Sequence, residues 1–147
     1  SKYRATKQEP ERKFTELLTT QKMSEKIDAW VKSRDQNFYS IEYSWRKGEH
    51  TVQNSFNPDY FLKFGKYIVV IEIKADDDDS EENKAKYKWA QTHFEKLNEE
   101  LSKTGIDQHY IFHFLSPGNY SEFVEYALNG KLFEHEFRSA LELKLLS

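Results

Sequence analysis

The run Tyr67 to Lys74 (YIVVIEIK) is nearly continuously apolar, a pattern that predicts a central β-strand covered on both faces. His109 to Leu115 (HYIFHFL) predicts a second buried strand, closed by Ser116-Pro117-Gly118. Phe38 to Trp45 (FYSIEYSW) is aromatic and β-branched and predicts a third, with a turn at Gly48. A further extended stretch, Val52 to Phe64, is interrupted near Asn57-Pro58, since proline cannot donate to a central ladder. Helical spacing appears in Phe14, Leu17 and Leu18 over residues 8–18, and in Ile27, Trp30 and Val31 over 24–33, with Ser24 as N-cap. Thr19 to Lys22 is a weak break between them. Tyr87, Ala90, Phe94, Leu97 and Leu101 predict a long helix over 81–103 that stops at Gly105. Two more helices, 119–128 and 132–146, flank Asn129-Gly130. The expected order is α, β, β, β, α, β, α: residues 1–147 as one α/β domain, a mixed sheet flanked by helices.

The segment 59–74 makes the pattern specific. Gly65-Lys66 separates two extended runs, and glycine at the first central position suits a type II′ turn. A two-residue loop fixes the register, so Phe64 opposes Tyr67 and Asp59 falls opposite Glu72. Lys74, two residues on, leaves the strand from the same face as Glu72. Two opposed carboxylates repel. They become favourable with a hard divalent cation between them, and magnesium takes one or two carboxylates plus waters and substrate phosphate. The Ile73 carbonyl is a further candidate ligand, and Lys74 is placed to orient a water or steady charge at phosphorus. A Glu-X-Lys alone is commonly a solvated salt bridge, and Pro-Asp alone a turn; their juxtaposition favours chemistry.

Composition narrows the setting. Hydrophobic residues are 37% of the chain, charged residues 32% and aromatics 16%, enough for a core within a well-solvated domain. No apolar run approaches the roughly 20 residues of a membrane span, and no signal peptide is visible at the N-terminus. Without an initiator Met, the chain is expected to be a segment of a longer protein. The absence of cysteine excludes disulfides, thiolate nucleophiles and cysteine-ligated zinc, and fits a cytoplasmic location. A net charge of −3 is unlike that of autonomous DNA binders, so another domain or chain would have to deliver a nucleic acid.

Pro58-Asp59 followed by Glu72-Ile73-Lys74 resembles the PD-(D/E)XK nuclease superfamily, whose core runs α, β, β, β, α, β. The stretch FNPDYFLKFGKYIVVIEIKADDDDSEENKAKYKWA is similar to the C-terminal endonuclease domain of type III restriction subunits and related helicase-nucleases. The resemblance spans about Glu11 to Leu115 and implies a restriction-endonuclease-like core followed by C-terminal helices. It implies a magnesium-dependent DNA endonuclease, manganese substituting, with Asp59 and Glu72 as metal ligands and Lys74 as catalytic lysine. It further implies a helicase or translocase region as partner and a glutamate from the first helix in the site. Glu11, in Glu-Arg-Lys-Phe14, is the first choice, with Glu16 and Glu25 as rivals. Duplex cleavage commonly needs two sites, which raises dimerisation or a partner subunit. A non-catalytic interaction module retaining the core, and a nuclease of RNA or branched DNA, are the alternatives.

Beyond Lys74, six acids occupy seven positions, Asp76 to Glu82. The run lacks the glycine and terminal glutamate of an EF-hand and reads as a solvated loop, with Asp76 close enough to support the site. Lys84, Lys88 and Gln91 share a helical face that could meet phosphate, Gln91 being an extra candidate near the site. The five histidines lack metal spacing; His109 and His113 share a strand face and read as core or edge residues. No phosphate-binding loop or nucleophile elbow appears. Trp30, Trp45 and Trp89 read as packing residues.

Overall fold

The computed structural model describes residues 2–33, 39–133 and 137–147, with side chains from residue 9 onward. Eleven named elements follow: α1 (Lys2–Leu18), α2 (Gln21–Lys26), β1 (Ala29–Lys32), β2 (Ile41–Lys47), β3 (His50–Phe56), β4 (Tyr60–Phe64), β5 (Tyr67–Ile73), α3 (Glu81–Lys103), β6 (His109–Leu115), α4 (Tyr120–Leu128) and α5 (Ala140–Leu145). A single 3-10 turn, Pro117–Asn119, joins β6 to α4. The main sheet has four strands in the order β1-β4-β5-β6, while β2 and β3 form a separate hairpin. β5 pairs antiparallel with β4 and parallel with β6, so the sheet is mixed and β5 is interior.

β5 alternates between two cores, as a central strand must. Val69, Ile71 and Ile73 join Phe14, Leu18 and Phe123 from α1 and α4 on one face. Val70 joins Tyr87, Ala90 and Phe94 of α3 on the other, with Ile41, Tyr43 and Phe56 of the hairpin packed in. The aromatic content is therefore divided between both faces, with edge-on and tilted pairs such as Phe14–Tyr60 and Phe112–Phe114.

The β4–β5 register is the one the turn dictates, running from Phe64↔Tyr67 to Tyr60↔Ile71. Gly65 has φ +58 whereas Lys66 does not share that region, the signature of a type II′ turn. The Gly65 N–H donates to Asp28 Oδ2 at 2.6 Å, tying the turn to the α2–β1 connection. A Cβ at Gly65 would meet nothing within 4 Å, so Gly65→Ala isolates backbone strain. It is expected to cost about 1–2 kcal/mol in urea unfolding. An unchanged midpoint would show the turn to be relaxed by other means.

Three expectations need correction. The helix expected over 24–33 is instead α2 followed by the edge strand β1, in which Trp30 is half-buried and Val31 exposed. Three apolar residues fit either period, and pairing with β4, Trp30↔Leu62 among others, decides it. Ser24 lies inside α2, its hydroxyl donating to the Gln21 carbonyl, and Thr20 holds the N-cap position. The stretch 52–64 divides at Asn57-Pro58 into β3 and β4, which belong to different sheets, so the three expected strands do not form one ladder. Finally, helix 132–146 shortens to α5, opened by Ser139 with a capping box to Glu142. The predicted strand start Phe38 and His135 lie outside the described residues. Among the described residues, no helix is long and apolar enough to cross a membrane.

Candidate active site

Pro58 ends pairing just before β4, and Asp59 turns inward at that end of the hairpin. Its backbone N–H donates to the Ile71 carbonyl at 2.9 Å, and its carbonyl accepts from Ser33 at 2.8 Å. The ladder thus stops one residue short of an Asp59–Glu72 pair. Asp59 Oδ2 accepts from the Ile73 N–H at 2.8 Å, capping the strand end with a carboxylate. Asp59 and Glu72 are only 7% and 2% exposed, a costly placement for two acids. Lys74 Nζ lies 3.5 Å from Glu72 Oε2, and the Lys74 N–H donates to the Leu115 carbonyl at the end of β6. The structure therefore gathers Asp59, Glu72, Ile73 and Lys74 at one end of the central strand.

Glu72 belongs to the α3 face of the sheet, and the neighbours there extend the cluster. Lys86 of α3 holds its ammonium 5.5 Å from the ring centroids of both Tyr43 and Phe56. Burial, and then the charge of Lys74 beside it, pull the Lys86 pKa down to about 8, while Glu72 and Glu82 pull it back up. The Tyr43 hydroxyl donates to Glu82 Oε2 at 2.5 Å. Burial raises the Tyr43 pKa, and its bond to Glu82 raises it further. Four charged side chains thus share one environment: Glu72 and Glu82 against Lys74 and Lys86. Lys86 is not among the helix residues that the sequence pattern singles out, Lys84, Lys88 and Gln91. Its signal was its position, in step with the buried residues Asn83, Tyr87, Ala90 and Phe94.

On the opposite face, Tyr60 donates to the Glu11 carbonyl at 2.9 Å and bonds Thr15 at 2.5 Å, pinning α1 over the strand end. Burial raises Tyr60 to about 12, against the Thr15 bond, with Glu11 and Asp59 both adding to the rise. Burial likewise raises Tyr120, with smaller contributions from Asp59, Asp76 and Glu11 among others. Glu11 is therefore within electrostatic range of the same hydroxyls as Asp59. Glu16 is exposed, 3.5 Å from Arg12, and Glu25 is exposed, bonded to Gln21.

The remaining candidates have structural partners. Asp76 Oδ1 accepts from the Gly118 N–H at 3.0 Å, holding the turn after β6. Asp77, at φ +62, pairs with Lys144, and the Asp78 carbonyl accepts from Asn83 at 3.1 Å. The acidic run is thus a fastened connection, and its last acids complement the N-terminus of α3, capped by Ser80. Gln91 Nε2 donates to the Phe112 carbonyl at 3.3 Å, away from Lys74. Lys84 and Lys88 line a groove of 760 Å³ with Arg46, Trp89 and Arg138, and Trp89 donates to the Ser44 carbonyl. His109 is exposed at the start of β6, and His113 is buried against Glu142.

Two buried carboxylates at a strand end are the hard oxygen donors that magnesium or manganese takes, so the donor chemistry fits. Among the described residues, no three histidine, aspartate or glutamate side chains converge on a common point for a cation. A metal here would be completed by main-chain carbonyl, water or substrate oxygens. No family model, curated protein or solved structure matches the chain.

Proposed function

We propose that the domain hydrolyses phosphodiester bonds of DNA, as a metal-dependent endonuclease of the PD-(D/E)XK kind with a restriction-endonuclease-like core. The type III restriction and helicase-nuclease setting carries over from the motif resemblance, with a motor region, and a second copy or subunit, as partners. The observation that supports this reading is the burial of Asp59 and Glu72 beside Lys74 at the end of an interior strand. Burying two acids costs desolvation that their internal partners, the Ile73 N–H and Lys74, only partly offset. A divalent ion held by Asp59 and Glu72 would lower the pKa of a bound water and offset charge on the phosphate. Lys74, 3.5 Å from Glu72, would orient that water and donate to a phosphate oxygen. The Ile73 N–H fixes the Asp59 carboxylate, and the Ile73 carbonyl is a further oxygen at that strand end. Glu11, which with Asp59 adds to the rise at Tyr60 and Tyr120, is the helix glutamate this reading assigns to the site.

One observation favours a non-catalytic module that keeps the core. Asp59 accepts from Ile73, and Lys74 pairs with Glu72, so part of the site is satisfied internally. Metal binding separates the two readings. A cation that binds only the folded state stabilises it by about 1.4 kcal/mol at ten times its Kd, or roughly 3–5 °C in Tm for a chain of this size. Magnesium should raise the Tm of the wild type by that amount, with manganese acting at lower concentration. Asp59→Asn and Glu72→Gln should flatten the response. Equal responses from all three proteins would remove the metal site and leave the interaction module.

A further inference from the structure

A lysine on the buried stripe of a helix normally extends its stem and carries its ammonium out to water. Lys86 does not. The β2–β3 hairpin closes over α3 so that Tyr43 and Phe56 flank the ammonium, each ring centroid 5.5 Å away. Lys86 is thereby held within electrostatic range of Lys74, whose side chain is only 13% exposed and 3.5 Å from Glu72. Two ammonium groups side by side repel, and the repulsion grows as water is removed. Glu72 and Glu82 offset part of it, Glu72 through Lys74 at 3.5 Å and Glu82 while also accepting from Tyr43 at 2.5 Å. What such a pair fits is an oxyanion that accepts from both cations at once. Phosphate has the charge and the oxygen geometry. The two lysines also come from different places, the residue that follows β5 and the helix α3, so they can approach one anion from different directions.

We propose that Lys86 and Lys74 together form a phosphate-binding site, in which Lys86 donates to a non-bridging oxygen of a nucleic-acid phosphodiester beside Asp59 and Glu72. Nucleic acid as the occupant rests on the phosphodiesterase reading; the anion site itself rests only on the two lysines and the hairpin that confines them. The hairpin then has a role the central sheet cannot supply: its aromatic faces set where the second cation stands.

Inorganic phosphate is the probe, added to the 147-residue protein at low ionic strength with metal chelated. In lysine-ammonium NMR spectra, Lys86 and Lys74 should shift saturably while the exposed Lys96 and Lys103 stay in place. This readout needs no variant, and a wild type whose Lys86 and Lys74 signals ignore phosphate overturns the proposal. Lys86→Met should lose at least tenfold in phosphate affinity, and Lys86→Arg should recover most of it, with circular dichroism unchanged. Lys86→Met protein that binds phosphate like the wild type would also overturn it. With magnesium and a duplex oligonucleotide, Lys86→Met should lower kcat/KM at least tenfold, again restored by Lys86→Arg. Lys86-dependent phosphate binding without cleavage by the wild type would support the anion site and remove the nuclease reading. Cleavage and phosphate binding that are both indifferent to Lys86→Met would keep the nuclease reading and remove the anion site.

Discussion

Glu72→Gln should lower magnesium-dependent DNA cleavage by at least about 10³-fold, equivalent to roughly 4 kcal/mol of barrier, with the far-ultraviolet circular dichroism of the wild type retained. The choice of glutamine matters. Glu72 is 2% exposed, with Lys74 at 3.5 Å and Lys86 nearby, so removing its whole side chain would leave a hole as well as two cations short of a counter-charge. Glutamine keeps the volume and an acceptor while removing the charge that would hold a cation. Asp59→Asn is the matched change on the other side of the hairpin. Its amide oxygen can still accept from the Ile73 N–H, which holds the aspartate at 2.8 Å, so the strand end keeps its cap. Lys74→Met should fall by about 10²–10³-fold, the range for losing one donor to developing negative charge. Plasmid nicking and linearisation at high protein concentration are the measurement, because the net charge of −3 makes unaided DNA binding weak. Near-wild-type cleavage by Glu72→Gln would end the assignment. Loss of cleavage in Lys74→Met alone would point to a site with no metal.

The parts of this arrangement that sequence pattern predicts are those where one physical signal is long or sharply constrained. α3 occupies the expected residues, Glu81–Lys103, because its apolar stripe repeats over six turns between a serine cap and a glycine stop. β5 and β6 lie where continuous apolar runs place them. The β4–β5 register, Phe64↔Tyr67 to Tyr60↔Ile71, follows from a two-residue turn, since that length leaves no freedom in register. Short elements behave differently. β1 has four residues and one edge partner, too few for a period, and only its pairing with β4 fixes it as a strand. The departure of β2 and β3 from the main sheet is set by tertiary packing on α3, which no local pattern encodes. Lys86 escapes the sequence pattern for a related reason: only the hairpin packed on α3 shows that its face is the one turned toward Glu72 and Lys74.

Glu142 is the second residue whose loss should be large, and here the effect is on the fold. The motif Ser139-Ala-Leu-Glu142 is a capping box, with Ser139 Oγ accepting from the Glu142 N–H at 3.1 Å and Glu142 Oε1 accepting from the Ser139 N–H at 2.9 Å. Most such glutamates face water. This one is fully buried. His113 Nδ1 of β6 lies 3.0 and 3.1 Å from its two oxygens, and Ser139 Oγ donates to the Phe114 carbonyl at 2.8 Å. Burial raises the Tyr87 pKa, and the charge and hydrogen bond of Glu142 raise it further, so Tyr87 of α3 belongs to the same network. One carboxylate therefore joins α5 to both β6 and α3. Glu142→Ala leaves the imidazole, the Ser139 N–H and the tyrosine hydroxyl without it in a space sealed from water. Breaking a buried charged network from one side costs about 3–5 kcal/mol, a large share of the 5–15 kcal/mol typical of a folded domain. Urea unfolding should show the midpoint fall with little change in slope, and Tm should drop by roughly 10 °C. Glu142→Gln, which keeps an acceptor for Ser139 but no charge for His113, should lose less than half as much. The position is far from Lys74 in bonding terms, so the magnesium response of whatever remains folded should persist. A Glu142→Ala protein within about 1 kcal/mol of wild type would mean that water enters this end of the sheet and that α5 is held by Leu141 and Leu145 alone.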